Sequence, residues 1–171
     1  TIQDRKILNN ALRSEWISHG SYVEKFENKL KNFLKVKYAS SVSNGTAALQ
    51  LAFLSLGLKR GDEILCPSYC YMAAANIATQ MFLNIKFIDV EKNSFCLNLN
   101  SIKKNVTKKT KAVVVVHTYG NTCEIDSISR FLKKRKIFLI EDTAEALGSK
   151  YKNKYLGAFG DISTISLHST K

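Results

Sequence analysis

Two carboxylates, Glu141 and Asp142, close the apolar run Ile137 to Ile140, and a lone amine, Lys171, follows a second such run, Ile162 to Leu167, after Ser166 and His168. A buried strand that ends this way presents its acids at the carboxyl end, where open α/β sheets take ligands. An acid, a hydroxyl and an amine from neighbouring segments of one sheet have a particular use. The amine can form a Schiff base with a carbonyl cofactor such as pyridoxal phosphate, while the acid pairs with the ring's pyridinium nitrogen. Each residue also has a plainer reading. Lys171 is then solvated surface, and Asp142 is a helix N-cap with Glu145 completing a capping box.

The elements that must position these groups alternate between strand and helix. Glu63 to Cys66, Ile85 to Val90, Lys111 to His117 and Ile137 to Ile140 read as strands, and the AVVVV core of the third suggests burial on both faces. Helices are expected at Ser21 to Lys35, with Ser21 and Glu24 as a capping box, at Leu49 to Leu58, from Ser68 to Ala73 towards Phe82, at Ser101 to Val106 and at Asp126 to Lys134. Tyr38 to Val42 reads as a short extended piece, and the EWISHGS segment before Ser21 reads as packing around the single Trp. Strand and helix in alternation with short connections make the fold class α/β with a largely parallel sheet.

Three connections lie on the ligand side of such a sheet. Ser43-Asn44-Gly45-Thr46-Ala47-Ala48 precedes an apolar helix, so its amides and the Thr46 hydroxyl could cradle a phosphate, although the same residues make an ordinary capped turn. Neither nucleotide-loop glycine fingerprint is present. Tyr71 lies just past a strand end, where an aromatic can lie flat on a planar ring or simply pack. His117, Tyr119 and Gly120 follow the third strand.

The bulk properties narrow the class further. The chain has 171 residues, 45% of them hydrophobic, enough for one domain with a real core. No apolar run of about 18 residues suggests a membrane span. The start lacks an apolar signal core, which points to the cytoplasm. It also lacks an initiator Met, and the last residue is a candidate catalytic position, so a piece of a longer protein is expected. Cys66, Cys70, Cys96 and Cys123 have no complete metal-ligand spacing and read as reduced packing residues, with no metal site. The net charge of +12 raises nucleic acid as a partner. The lysines are scattered over helix ends and turns without interleaved aromatics, so a solvated surface favouring anionic small substrates is the reading preferred.

In this order the motifs resemble the DegT/DnrJ/EryC1/StrS family of sugar aminotransferases. The resemblance rests on WISHGSYVEKFE (Trp16 to Glu27), SNGTAALQLAFLSLGLKRGDEILCPS (Ser43 to Ser68), KAVVVVHTYG (Lys111 to Gly120), IEDTAEALGSKYKNKYLGAFGD (Ile140 to Asp161) and SLHSTK (Ser166 to Lys171). It implies a truncated large domain of the aspartate aminotransferase-like type. Residues 36–171 would form a three-layer α/β/α sandwich with a mostly parallel mixed sheet, preceded by a helical segment, 1–35. It also implies pyridoxal 5'-phosphate as cofactor. Lys171 would form the Schiff base and move the proton, and Asp142 would keep the pyridine nitrogen protonated. Tyr71 would stack on the ring, while Thr46, the backbone of Ala47 and Ser166 hold the phosphate.

Glu145 stands where the family often has Gln, near the phenolic oxygen, as in members resembling perosamine synthases. A related dehydratase branch has histidine in place of the lysine, so Lys171 favours amino transfer. The implied reaction moves an amino group from glutamate to a nucleotide-linked 4-keto-6-deoxyhexose in a homodimer, with a smaller C-terminal domain still to follow and no activity in this portion alone. The contrasting reading is a non-catalytic remnant or basic binding module that kept the fold; the net charge supports it, and Asp142 with Lys171 counts against it.

Overall fold

The computed structural model describes residues 1–14, 20–169 and 171. The WISH residues Trp16 to His19, with Glu15 before them, lie outside that description, as does Thr170. The chain forms two compact units, Thr1–Ser41 and Val42–Lys171.

The first unit holds α1, Ile2–Arg13, and α2, Ser21–Leu34. Helix α1 falls inside the helical segment expected over 1–35, and its start carries a capping box in which Thr1 Oγ1 accepts from the Asp4 amide and the Asp4 carboxylate accepts from the Thr1 amine. In α2 the capping box expected of Ser21 and Glu24 is absent. Gly20 is the cap residue and Ser21 is already helical, so its hydroxyl is one position too late to cap. The far end closes on Lys35 in the left-handed conformation, φ 57°, with the Val36 amide donating to Lys31 O at 3.1 Å. Tyr38 to Val42 forms no strand. Ser41 is instead tied back through its amide and hydroxyl to Glu27 Oε1, at 2.7 and 2.8 Å.

The second unit is built on five strands: β1 (Glu63–Pro67), β2 (Asn84–Ile88), β3 (Thr110–Val116), β4 (Phe138–Asp142) and, after a small hairpin β5–β6 (Lys150–Tyr151 and Lys154–Tyr155), β7 (Ile162–Thr164). The sheet runs β2-β1-β3-β4-β7, and each of its pairings is parallel. The antiparallel pair is the separate hairpin, whose turn residues Lys152 and Asn153 both take positive φ. Helices α3 (Gly45–Ser55), α4 (Ala73–Gln80), α5 (Leu99–Asn105) and α6 (Ile125–Lys134) join the strands.

Alternation along the strands divides the core into two layers. Leu65, Val113, Val115 and Leu139 pack with Ile102 of α5 and Ile125, Ile128 and Leu132 of α6. Ile64, Cys66, Ala112, Val114 and Ile140 pack with Leu49, Ala52 and Phe53 of α3 and Ala74, Ile77 and Ala78 of α4. Helices therefore cover both faces, which is why the β3 run is apolar without a break; each wholly buried aliphatic contributes about 1.5–3 kcal/mol.

The same period separates the two acids of β4. Glu141 falls on the face of Leu139 and α6, and Asp142 on the face of Ile140 and α3. They are neighbours in sequence and not a carboxylate pair. Glu141 is wholly buried, and its Oε1 accepts from the amides of Phe159 and Gly160, both at 2.6 Å, while its Oε2 accepts from the Gly157 amide at 2.9 Å. The chain wraps this closely because it has glycine there. A Cβ on Gly160 would lie 2.6 Å from the Leu139 carbonyl, a main-chain atom that cannot swing aside. Gly160→Ala should lower unfolding stability by about 1–3 kcal/mol, read from the urea midpoint; an unchanged midpoint would show that the turn has room to relax.

Candidate active site

The carboxyl ends of the five parallel strands lie at one edge of the sheet, where the start of α3 meets Ser166 just past β7. Asp142 ends β4 and is buried, 8% exposed. No helix follows it, so the N-cap reading fails. Its Oδ1 accepts from the Ala144 amide at 3.0 Å, closing a side-chain turn instead. Burial pushes its carboxyl above the ordinary value, against the pull of the Ala144 amide, His117 and Lys171. An acid in that state favours a cation beside it.

Lys171 supplies one nearby. Its Nζ lies 3.1 Å from Glu145 Oε1 and 5.9 Å from the centre of the Tyr71 ring. Strand β7 stops at Thr164, three residues short of the expected Leu167, so Ser166 and His168 belong to the irregular segment that carries Lys171 to the site. Glu145 accepts from the Tyr119 amide through its other oxygen at 3.1 Å. That amide bond, with help from Lys171, holds the Glu145 carboxyl below its ordinary range. Tyr71 is well exposed.

Helix α3 begins at Gly45, four residues before the expected Leu49, which makes the small residues its own first turn. Asn44 caps it, accepting from the Ala47 amide at 2.9 Å. The Ala47 N–H assigned to a phosphate is therefore already engaged, and an anion here would meet first the amides of Gly45 and Thr46, with the Thr46 hydroxyl. Ser166 closes over this helix end so tightly that a Cβ on Gly45 would stand 3.3 Å from its own Cβ. The structure thus brings Thr46, Ala47 and Ser166 to one cradle, and Asp142, Glu145, Tyr71 and Lys171 to one acid, amine and ring cluster.

Three site features were not legible beforehand. Gly45 sits so close to Ser166 that a side chain there would have to push it back by a few tenths of an ångström. Tyr69, Phe95 and Tyr119 form an aromatic wall, with ring centroids of Tyr69 and Phe95 5.1 Å apart and the Tyr69 and Tyr119 hydroxyls at 3.0 Å. Tyr119 holds a left-handed backbone, φ 54°, which aims its amide at Glu145 and costs about 1–3 kcal/mol. The cysteines are free thiols, and burial pushes Cys66 and Cys123 to about 12, the behaviour of inert packing residues. Among the described residues, no cluster of three or more His, Cys, Asp or Glu could hold a metal ion, and no helix is long and apolar enough to cross a membrane.

The chain superposes on an aminotransferase from Psychrobacter cryohalolentis with a TM-score of 0.92 at 29% identity, over 96% of this chain and 42% of that one. It superposes on the GDP-4-keto-6-deoxy-D-mannose-3-dehydratase of E. coli, solved with bound hydrated PLP, with a TM-score of 0.86 at 33% identity, over 91% of this chain and 42% of that one. The fold is thus that found in pyridoxal-phosphate aminotransferases. Within that class, the chain belongs to the DegT/DnrJ/EryC1/StrS aminotransferase family, whose sequence profile matches residues 2–171. It is 44% identical to the GDP-perosamine synthase of Escherichia coli O157:H7, over 100% of this chain and 47% of that protein. The chain spans about half the length of the curated relatives it matches.

Proposed function

We propose that the chain is the cofactor-binding portion of a pyridoxal-phosphate aminotransferase that moves an amino group from glutamate to a nucleotide-linked 4-keto-6-deoxyhexose, of the GDP-perosamine synthase kind. The observation that carries this reading is the meeting of a buried acid, an amine and an open aromatic face beside a helix N-terminus, all at the carboxyl ends of one parallel sheet. When bound, the cofactor supplies an aldehyde carbon for the amine and a ring that spreads carbanion charge.

The chain's own residues have distinct tasks. The Gly45 and Thr46 amides, the Thr46 hydroxyl and Ser166 would hold the phosphate dianion against the positive end of the α3 dipole. Asp142 would keep a proton on the ring nitrogen: burial raises its pKa, so its carboxylate is stabilised most by a cation beside it. Tyr71 covers one ring face. Lys171 Nζ would be the amine that holds the cofactor and, when free, could carry a proton to or from the substrate carbon. Glu145, already bonded to Lys171, orients that amine. The likeness to the GDP-perosamine synthase supports GDP as the nucleotide, and the lysine at 171 supports amino transfer over dehydration.

The direct test is borohydride reduction of the full-length protein with pyridoxal phosphate, followed by peptide mapping. One pyridoxyl group is expected on the peptide that contains Lys171. A stable adduct elsewhere, or none, would remove the assignment. Incubation with glutamate and a panel of nucleotide 4-keto-6-deoxyhexoses then reads the sugar from the amino product.

A further inference from the structure

One part of the site has no task in the reaction above: the wall of Tyr69, Phe95 and Tyr119. Its members come from the connections after β1, β2 and β3, which are neighbours in the sheet, so the three rings gather at its carboxyl edge. The Phe95 ring centre lies 5.1 Å from that of Tyr69 and 6.4 Å, edge-on, from that of Tyr119. In the order of the chain these residues are 43%, 38% and 67% exposed. Aromatic surface left open beside a few placed polar groups marks a binding face.

Strain and cross-links hold this wall in place. Phe95 and Tyr119 both take the left-handed backbone, φ 57° and 54°, a conformation that residues with a Cβ keep chiefly at functional sites. Thr118 Oγ1 donates to the Phe95 carbonyl and Asn121 Nδ2 to the Ser94 carbonyl, both at 3.4 Å, which ties the loop after β2 to the loop after β3. The Tyr69 and Tyr119 hydroxyls, 3.0 Å apart, tie the loop after β1 to the same place.

That last bond decides what the wall can offer. One phenol donates to the other, so the accepting phenol keeps its own O–H for a ligand, and both oxygens keep lone pairs. The bond to Tyr69, with Glu145 adding in the same direction, raises the pKa of Tyr119 and keeps its hydroxyl protonated at neutral pH. Two such oxygens match the spacing of neighbouring hydroxyls on a pyranose, and the rings beside them match its C–H face. The wall also stands next to the amine: the Tyr119 amide donates to Glu145 Oε2 at 3.1 Å, and Glu145 Oε1 lies 3.1 Å from Lys171 Nζ.

We infer that Tyr69 and Tyr119, backed by Phe95, form the subsite for the pyranose ring of the acceptor, Tyr119 bonding the 3-hydroxyl and Tyr69 the 2-hydroxyl, so that the carbonyl carbon next to them is presented to Lys171. This deepens the proposed function and rests on it, because it requires a nucleotide-linked 4-keto-6-deoxyhexose as acceptor. The competing account is that the hydroxyl bond merely ties two loops together.

The test uses the full-length protein loaded with pyridoxal phosphate, the nucleotide 4-keto-6-deoxyhexose that it aminates most readily, and the 3-deoxy analogue of that sugar. In the wild type the analogue should have a KM about three- to tenfold higher, the loss of one hydrogen bond. Equal values overturn the inference without any variant having to fold. Tyr119→Phe keeps the ring and the main chain, and should raise the KM of the parent sugar by a similar factor while adding little to that of the analogue, since the two missing hydroxyls are partners. The KM for glutamate, which has no pyranose, should move less. A loop-tying role predicts instead that Tyr119→Phe shifts the KM of sugar and glutamate alike, or that the losses from variant and analogue multiply, and either result overturns the inference. A wild type that converts glutamate but aminates no nucleotide keto-sugar would remove the proposed acceptor and this subsite with it. Turnover with a sugar KM that Tyr119→Phe leaves in place rejects the subsite alone.

Discussion

Replacing Glu141 by alanine should lower the unfolding free energy by about 3–5 kcal/mol, the cost of breaking a fully buried, hydrogen-bonded charge by removing one partner. The substitution strands the amides of Gly157, Phe159 and Gly160 and the Nε2–H of His117 in a site that water does not reach. Each of those donors loses its acceptor at once, which separates this change from the loss of an exposed ion pair such as that of Lys152 and Asp126. The pH dependence gives a second signature. The folded-state pKa of Glu141 is depressed, so its stabilisation is present above the ordinary glutamate range and fades as pH falls through the lower, folded-state value. The gap between wild type and Glu141→Ala in urea midpoint should therefore be full at neutral pH and narrow in acid. A gap below about 1 kcal/mol at neutral pH would mean that the turn at residues 157–160 finds other acceptors.

The difference in legibility between Asp142 and Glu141 follows from their faces. The apolar run that ends in the two acids is readable because burial on both sides demands it, and so the position of the site at that strand's end was open to inference. The opposite orientation of the two side chains is a consequence of strand period, yet the partner of Glu141 lies in a turn sixteen residues later, and no local signal announces that closure. Strand ends were also misplaced where side chains outside the ladder are apolar. Ile165 and Leu167 extend the pattern of β7, but the pairing with β4 stops at Thr164 because β4 itself stops at Asp142. The hairpin at Lys150–Tyr155 escaped because its turn is Lys152-Asn153, with no glycine to mark the left-handed pair. Helix α3 started early for the same kind of reason: Asn44 is a good cap, and Gly45 in the first turn looks like loop until the nearness of Ser166 explains it.

Asp142→Asn should move stability and function in opposite directions. In the cofactor-free protein the carboxylate is buried, bonded to one amide, and its pKa is pushed above the ordinary value. A raised carboxyl pKa means that the folded state holds the proton to higher pH than the unfolded chain does. Stability is thus lost as pH rises from the ordinary aspartate range through the raised value, where the charge must be kept in a poorly solvated place. The amide has no charge to desolvate and can keep an acceptor for the Ala144 N–H. Cofactor-free Asp142→Asn should therefore melt no lower than wild type at neutral pH, and higher if burial dominates as the direction of the shift indicates. With pyridoxal phosphate the order reverses. On the proposed function, the variant loses the charge that would keep the ring nitrogen protonated in an enclosed site, an interaction on the order of 3–5 kcal/mol for a buried pair. That corresponds to roughly a hundredfold to several thousandfold in amino transfer, with the loss concentrated in kcat because the proton matters most when carbanion charge develops. Calorimetry with and without cofactor, alongside steady-state kinetics on the full-length protein, checks both signs. A variant destabilised without cofactor and active with it would place the acid among the structural residues and leave the ring nitrogen to some other group.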